Sequence, residues 1–407
     1  MKVYSLFLAG CFLLVTSMSI AAQPIKIGFV YILSGRLAGF GMIAKKGAEL
    51  AIEEINQTGG INGRKIQAIF EDTKLNSKVT LKAIEKLVKQ DRVDAVMGIV
   101  SSKVAADVVP HMRELKTPLI ITTAQTPVVT GSKCNPYTFR ITWSTAQNLR
   151  AAAILAQGLK SKKWTTIGPA YALGFESWAL FKKYLKVRRP EASFLPDSQV
   201  AFAPLKTKDW GPQIKKVMDS GADGVLISLW GGNFVDFVRQ ANKRGFFDGT
   251  RKCITTVMAV SEFLQLGLEM PIGLRFVGPY WHTAQYRNLN SNFAQVYEKR
   301  YGLPPSYYGQ FAYSAVKVYA DTVNLLGNTD KQAVVEALEG ATFQTPVGSL
   351  TFRARDHQAL FDAVAGTVSK DLTFTARKYY YRKLDPIVLL PAAQVAVPPD
   401  ETGCNMR

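Results

Sequence analysis

Two adjacent serines carry the sharpest chemistry in this chain. Ser101-Ser102 follows a short apolar segment at residues 93–97 and precedes an amphipathic one. Hydroxyls at such a junction sit beside the unpaired backbone N–H groups of a helix start, a cradle suited to a carboxylate. Plain helix capping by serine accounts for the same pair. Three other segments follow expected strands in the same way: Gly35-Arg36-Leu37-Ala38-Gly39-Phe40-Gly41, Thr122-Thr123-Ala124-Gln125-Thr126-Pro127 and Ala170-Tyr171-Ala172-Leu173-Gly174. In open α/β sheets, ligands bind beyond the carboxyl ends of strands. Phe40, Ser101, Ser102, Ala124, Thr126 and Tyr171 are therefore candidate binding residues. In the second half, Trp230-Gly231-Gly232-Asn233 links a strand to a helix, so Trp230 and Asn233 could close over a ligand held by the first half. Core packing is the other reading of Trp230. Tyr280-Trp281, Tyr307-Tyr308 and Phe311 divide between packing and lining, and Tyr280 is kept as a candidate.

Catalytic patterns are scarce. The three histidines, His111, His282 and His357, have no metal-ligand spacing, and no G-x-S-x-G elbow occurs. Glu53-Glu54 reads as helix-surface charge, and Asp72 as a turn or helix-start residue. Gly39-Phe40-Gly41-Met42-Ile43-Ala44 has the form G-x-G-x-x-A. A dinucleotide turn should follow its strand directly, yet about six residues separate the expected strand end at Leu33 from Gly39. No enzyme, cofactor or metal is expected.

The elements that position these loops alternate. Strands are expected at 25–33, 66–72, 93–97, 118–122 and 137–141, then at 164–169, 199–203, 224–229 and 253–257. Helices are expected between them, at about 42–57, from a Ser77 cap to 90, from Ser101-Ser102, and at 144–159, 175–187, 210–220 and 233–244. Ala44, Ala48, Ala51, Ile52 and Ile55 share one face of the first helix, the amphipathic period. Short apolar strands alternating with amphipathic helices predict parallel sheets covered on both faces. After Tyr280 helices dominate 289–340. Strand-rich segments follow at 349–353, 361–368 and 375–382, and the tail from 391 reads as irregular.

The 407 residues suffice for two domains at roughly 150 residues each. Lys2, an apolar run at 3–20 and the small pair Ala21-Ala22 have the order of a cleaved secretory signal over residues 1–22. A retained membrane anchor is the alternative, since the run approaches spanning length. Leu8-Ala9-Gly10-Cys11 resembles a lipoprotein cleavage box, but the apolar stretch before Cys11 is short and the one after it long. A secreted chain works where nucleotide cofactors and nucleic acid are absent. The net charge of +19 reads as a solvated basic surface, with acidic lipid headgroups or an anionic ligand as sharper alternatives. Its clusters at 160–163 and 182–189 are expected on helices, and no nucleic-acid motif accompanies them. Cys134, Cys253 and Cys404 remain after the signal. In an oxidising compartment two can pair and leave one over. Cys134 lies among loop residues and Cys404 in a Pro-rich tail that nothing else anchors, so a Cys134–Cys404 bridge is expected.

Taken in order, these loops resemble the periplasmic solute-binding proteins of branched-chain-amino-acid-type ABC transporters. The most specific stretch is Ile27-Gly28, Ser34 to Gly41, Gly47-Ala48-Glu49-Leu50-Ala51, Ile55-Asn56 and Gly59-Gly60-Ile61-Asn62-Gly63. Ser101-Ser102, Ala124 with Thr126, and Asn135-Pro136-Tyr137-Thr138-Phe139-Arg140 extend it. The resemblance implies two Rossmann-like lobes (24–142 plus 281–346, and 143–280 plus 347–390), a tail at 391–407, and crossovers near Ile141, Tyr280 and Pro346. It implies hinge closure on a small solute, delivery to membrane permease subunits, a periplasmic location and a monomer. It also implies that the Ser101-Ser102 position and the Ala124–Thr126 loop hold the ligand carboxylate, that Phe40 packs on its side chain, and that Tyr171–Gly174 and Trp230 close from the second lobe. Two departures stand out. Leu173 replaces a frequent aromatic residue. The acid that holds an amino acid's ammonium group is absent or displaced, since Met258-Ala259-Val260-Ser261 precede Glu262. The expected ligand is a small carboxylate-bearing solute: a branched-chain amino acid, as the resemblance implies, or, given this departure, an aromatic or aliphatic acid or amide without an amino group. A sensory domain signalling to a membrane partner, or a secreted hydrolase, would be the alternatives.

Overall fold

The computed structural model describes residues 23–204, 206–284 and 288–406. The expected signal at 1–22 lies outside them. Strand β1 (Ile25–Tyr31) leads to α1 (Ala38–Gln57), β2 (Ile66–Asp72), α2 (Ser77–Lys89), β3 (Ala95–Gly98), α3 (Ser102–Val108), α4 (Met112–Leu115), β4 (Leu119–Ile121) and β5 (Thr138–Arg140). These strands form one parallel sheet in the order β2-β1-β3-β4-β5. Alternation along β1 explains its two covered faces. Ile25, Ile27, Phe29 and Tyr31 join the core under α1, whereas Val30 faces the cluster built by Ile84, Leu87 and Val104.

The chain then passes through α5 (Thr145–Gln157) into β6 (Lys163–Pro169), α6 (Ala172–Arg188), β7 (Ser193–Phe194), β8 (Ala201–Ala203), α7 (Gly211–Asp219), β9 (Gly224–Ile227), α8 (Gly231–Asn242), β10 (Lys252–Thr255), α9 (Val260–Leu266) and β11 (Arg275–Gly278). Helices α10 (Asn288–Tyr301), α11 (Tyr307–Leu326) and α12 (Lys331–Leu338) follow. Helix α11 returns to α1, where a Cβ on Gly47 would meet the Gly309 carbonyl oxygen at 1.9 Å. Glycine at that crossing is a steric requirement. Three short strands, β12 (Thr342–Thr345), β13 (Gly348–Phe352) and β14 (Ala359–Leu360), make a separate antiparallel sheet. The hairpin β15 (Ala363–Phe374) and β16 (Tyr380–Leu390) completes the second sheet, ordered β16-β15-β11-β10-β9-β6-β7 with β8 beside β6. Helix α13 (Ala392–Val395) starts the tail.

Several expectations change. Segment 348–360 stays with the first sheet: Phe352 and His357 contact the Phe139 ring, and Gln358 bridges Arg140. The chain enters the second sheet at Ala363, so the last crossover lies near Phe361 rather than Pro346. Asn76, not Ser77, caps α2 by accepting from the Val79 N–H, because the Ser77 hydroxyl donates to Asp107. Lys160–Lys163 is no helix. It is the entry to β6, with the Lys162 and Lys163 N–H groups donating to the Asp223 carboxylate. A turn over 375–379 divides the segment read as a strand at 375–382. The tail is anchored well beyond its cysteine. Val395 is buried, the Arg353 guanidinium donates to the Val397 carbonyl, and Lys183 pairs with Glu401 at 2.6 Å. A disulfide joins Cys134 to Cys404, while Cys253 is free and buried, its thiol pushed up to about 12 by desolvation.

Candidate functional site

The carboxyl ends of the two sheets face a cavity of about 530 Å³. Its first wall comes from loops after β1, β3 and β4. Gly98 and Ile99 take positive φ angles of 137° and 64°, which turns the chain sharply out of β3 into Ser101. Ser101 caps α3, its Oγ accepting from the Val104 N–H at 3.3 Å. The neighbouring Ser102 Oγ accepts from the N–H groups of Gln125 at 3.3 Å and Thr126 at 3.2 Å. That leaves the Ser102 hydroxyl hydrogen free to point elsewhere. Thr123, Gln125, Thr126 and Thr145 extend this polar end.

Arg140 holds the Thr126 loop from below. Its guanidinium is buried and donates to the Thr126 carbonyl, to Thr130 Oγ1 and, at 2.6 Å, to Gln358 Oε1. Desolvation pulls its pKa down to about 9. Gln358 in turn donates to the Thr142 and Ala359 carbonyls. The loop beside the serines is thereby tied to two of the strands' connecting segments.

The aromatic side of the cavity is built from both sheets. Phe40, in the first turns of α1, lies 5.5 Å from the Trp230 ring and 5.1 Å from Tyr308 between centroids. Trp230 Nε1 donates to Tyr171 Oη at 2.9 Å, and burial raises the Tyr171 phenol above its ordinary value. Gly231 has φ of +55°, so glycine is the residue that lets the chain turn from Trp230 into α8 without strain.

Glu262 is 2% exposed. Its Oε1 accepts from the Gly231 N–H at 2.8 Å, and its Oε2 from the Ala259 N–H at 3.0 Å and the Ser261 hydroxyl at 2.7 Å. Burial raises its pKa. The carboxylate therefore serves two helix starts and is not part of the cavity wall. Among the described lining residues the acid is Glu176, exposed at the rim yet desolvated enough that its carboxyl sits above the usual range. The two lining lysines are engaged: Lys103 pairs with Asp107 at 2.7 Å, and Lys133 Nζ donates to the Ala106 carbonyl at 2.8 Å.

Phe40, Ser101, Ser102, Thr126, Tyr171 and Trp230 thus meet around one cavity. Three other candidates stand apart from its wall. Ala124 is buried, with its N–H donating to the Ile99 carbonyl. Asn233 sits inside α8, and Tyr280 is buried against Phe293. The wall also contains Leu37, Val100, Leu173, Val257, Tyr307 and Tyr308. Asp72 accepts from the Leu33 and Lys74 N–H groups and from Ser34, which makes it the clasp of the loop after β1.

Residues 24–372 match the family model described as periplasmic binding protein. A Leu/Ile/Val-binding protein homolog of Brucella abortus is 25% identical over 405 residues, covering 95% of this chain and 94% of its own. A branched-chain amino acid ABC transporter ligand-binding protein from Burkholderia xenovorans superposes with a TM-score of 0.83 at 20% identity, covering 94% of this chain and 99% of its own. A solute-binding protein from Rhodopseudomonas palustris, solved with 3,4-dihydroxybenzoic acid, has a TM-score of 0.79 at 20% identity, covering 91% and 98%. The two solved structures share this fold; in the present chain the first sheet is wholly parallel, and the second, expected to be parallel, is mixed because β15 runs antiparallel to β11 and to β16. This chain belongs to the periplasmic binding protein family, in its type I, branched-chain-amino-acid-transporter group.

Proposed function

We propose that this protein captures a small carboxylic acid lacking an amino group, aromatic or aliphatic, by closing its two lobes on it, and delivers it to the membrane subunits of an ABC importer. The expected secretory signal and the family support a periplasmic setting for that work. The cavity supports a binding site rather than a catalytic one. One end offers the Ser102 hydroxyl beside the Gln125 and Thr126 amides, and the other offers the Phe40, Tyr171, Trp230 and Tyr308 rings. Few hydrogen bonds in a largely apolar pocket are the usual means of holding a small solute. Rings from both lobes meet there, so a solute touching them would favour the closed arrangement.

The observation that carries the absence of an amino group is the engagement of Glu262. Its three hydrogen bonds hold it buried behind the cavity wall, so it would have to leave them to meet an ammonium ion in the cavity. An unpaired buried ammonium would cost several kcal/mol. The Brucella relative's name and the R. palustris complex mark the two ligand classes to compare. Titration calorimetry with 3,4-dihydroxybenzoate, benzoate and leucine tests the choice. Binding of an aromatic acid with no response to leucine is expected, and Glu176→Gln should leave that affinity within about threefold. Tight leucine binding that collapses in Glu176→Gln would refute the proposal and make Glu176 the ammonium partner.

A further inference from the structure

The hairpin β15–β16 carries a surface that solute capture does not use. Its distal half presents Leu372, Phe374, Tyr379 and Tyr380 to solvent, with Phe374 64% and Tyr380 59% exposed. The register pairs Leu372 with Arg382 and Phe374 with Tyr380, which puts Leu372, Phe374, Tyr380 and Arg382 on one face, with Tyr379 in the turn that joins the strands. The opposite face is occupied: Tyr381 is buried, its hydroxyl 2.9 Å from His282 Nε2. Exposed Leu268 lies beside the outer face, since the Arg382 guanidinium spans the Leu268 and Lys370 carbonyls. The exposed Leu268 thus belongs to a segment held against the hairpin by Arg382.

The hairpin segment is cationic. Residues 370–383 hold Lys370, Arg377, Lys378, Arg382 and Lys383 against Asp371 alone. Lys370, Lys378 and Lys383 are exposed. Aromatic and aliphatic side chains interspersed with lysine and arginine form the pattern that settles at a lipid headgroup boundary. A basic cluster is attracted to an anionic leaflet. We infer that this hairpin face docks on an anionic membrane surface, holding the protein beside a bilayer. The chain's net charge of +19 acts in the same direction.

A second copy fits the face poorly. A two-fold contact would set the cationic segments of two hairpins against each other. Strand β16 is the sheet edge, but Pro386 has no N–H there, and Lys383 and Asp385 are exposed along it, so edge-to-edge pairing is blunted. No residue of the hairpin lines the solute cavity, so docking leaves that cavity accessible.

Flotation of the full-length secreted protein with protein-free vesicles tests the inference. Vesicles of phosphatidylglycerol mixed with phosphatidylcholine should carry the protein up the gradient at low salt, and pure phosphatidylcholine vesicles should not. Lys370→Gln/Lys378→Gln/Lys383→Gln should weaken partitioning by on the order of a hundredfold, at about fivefold for each charge removed. Phe374→Ser/Tyr380→Ser should abolish flotation while thermal melting and solute affinity stay as in the parent, which separates a docking defect from misfolding. Equal partitioning to both vesicle types, or flotation indifferent to both variants, would overturn the inference. So would a dimer in sedimentation that the aromatic variant dissociates while vesicle binding is absent. Solute binding is read separately, so failure here leaves the proposed capture function intact.

Discussion

Replacing each serine of the pair separately tests whether the polar end of the cavity holds a carboxylate. Ser102 Oγ takes hydrogen bonds from two backbone amides, which leaves its own hydrogen available to donate. Ser102→Ala removes one hydrogen bond to a charged acceptor, worth about 1.5–3 kcal/mol, or roughly 10- to 150-fold in Kd. The freed Gln125 and Thr126 amides can turn to the carboxylate and offset part of this, so a loss near tenfold is expected. Ser101 does a different job. Its Oγ accepts from Val104 at the start of α3, so Ser101→Ala should cost about 1 kcal/mol of stability and little affinity. Lys182, paired with Asp197 on the flank of α6, serves as a control, and Lys182→Ala should change neither quantity. Calorimetry gives Kd and denaturant unfolding gives stability for the same preparations. If Ser102→Ala leaves Kd within twofold, or if the two serines exchange roles, the carboxylate cradle is wrong.

Arg140→Met strands the Thr126 carbonyl, while Thr130 Oγ1 and Gln358 Oε1 keep their own mutual hydrogen bond at 3.2 Å. Urea unfolding should show a loss of about 1–3 kcal/mol, the cost of one buried group left unpaired, together with weaker solute binding as the Thr126 loop loosens. Cys404→Ser opens a bridge spanning 270 residues, so stability should fall by about 2–5 kcal/mol, and the variant's Tm should no longer respond to dithiothreitol. His282 is buried and its pKa falls to about 3, so the folded state holds it neutral. Its stabilising contribution is complete above the unfolded value near 6.5 and is lost as pH falls toward 3. Unfolding free energy should drop by about 2 kcal/mol between pH 7 and 5 from this residue, and His282→Phe should remove that part of the slope.

The alternating organisation was legible because strands of period two and helices of period 3.6 leave different marks, and because glycine and serine punctuate them. Short elements without such marks were missed: α9 is seven residues and β11 four. Ser77 and Asn76 are equally good caps on paper. The choice rests on Asp107, thirty residues away, which takes the Ser77 hydroxyl. The same limit governs the site. Loops directly after strands put Ser102, Tyr171 and Trp230 on the cavity by local rule. Tyr307, Tyr308 and Val257 reach it only through the packing of α11 and the second sheet. Arg140 could be seen within a motif, but its grip on Thr126 depends on Gln358, 218 positions later. Tyr280 follows a strand as the candidates do, yet its side chain turns into the core beside Phe293.

Glu262 shows how a displaced acid changes what a cleft can accept. Starting α8 and α9 side by side gathers several N–H donors that neither helix can satisfy internally. One carboxylate answers both starts, and the positive ends of the helices favour its charge despite its burial. Recruiting it to an ammonium ligand would unpair Gly231 or Ala259, each at about 1–3 kcal/mol. It would also release the turn that aims Trp230 at Phe40. Glu262 thereby fixes the aromatic wall. Under the proposed function, specificity would rest on the Ser102 end and on the rings, a combination suited to a flat or branched acid.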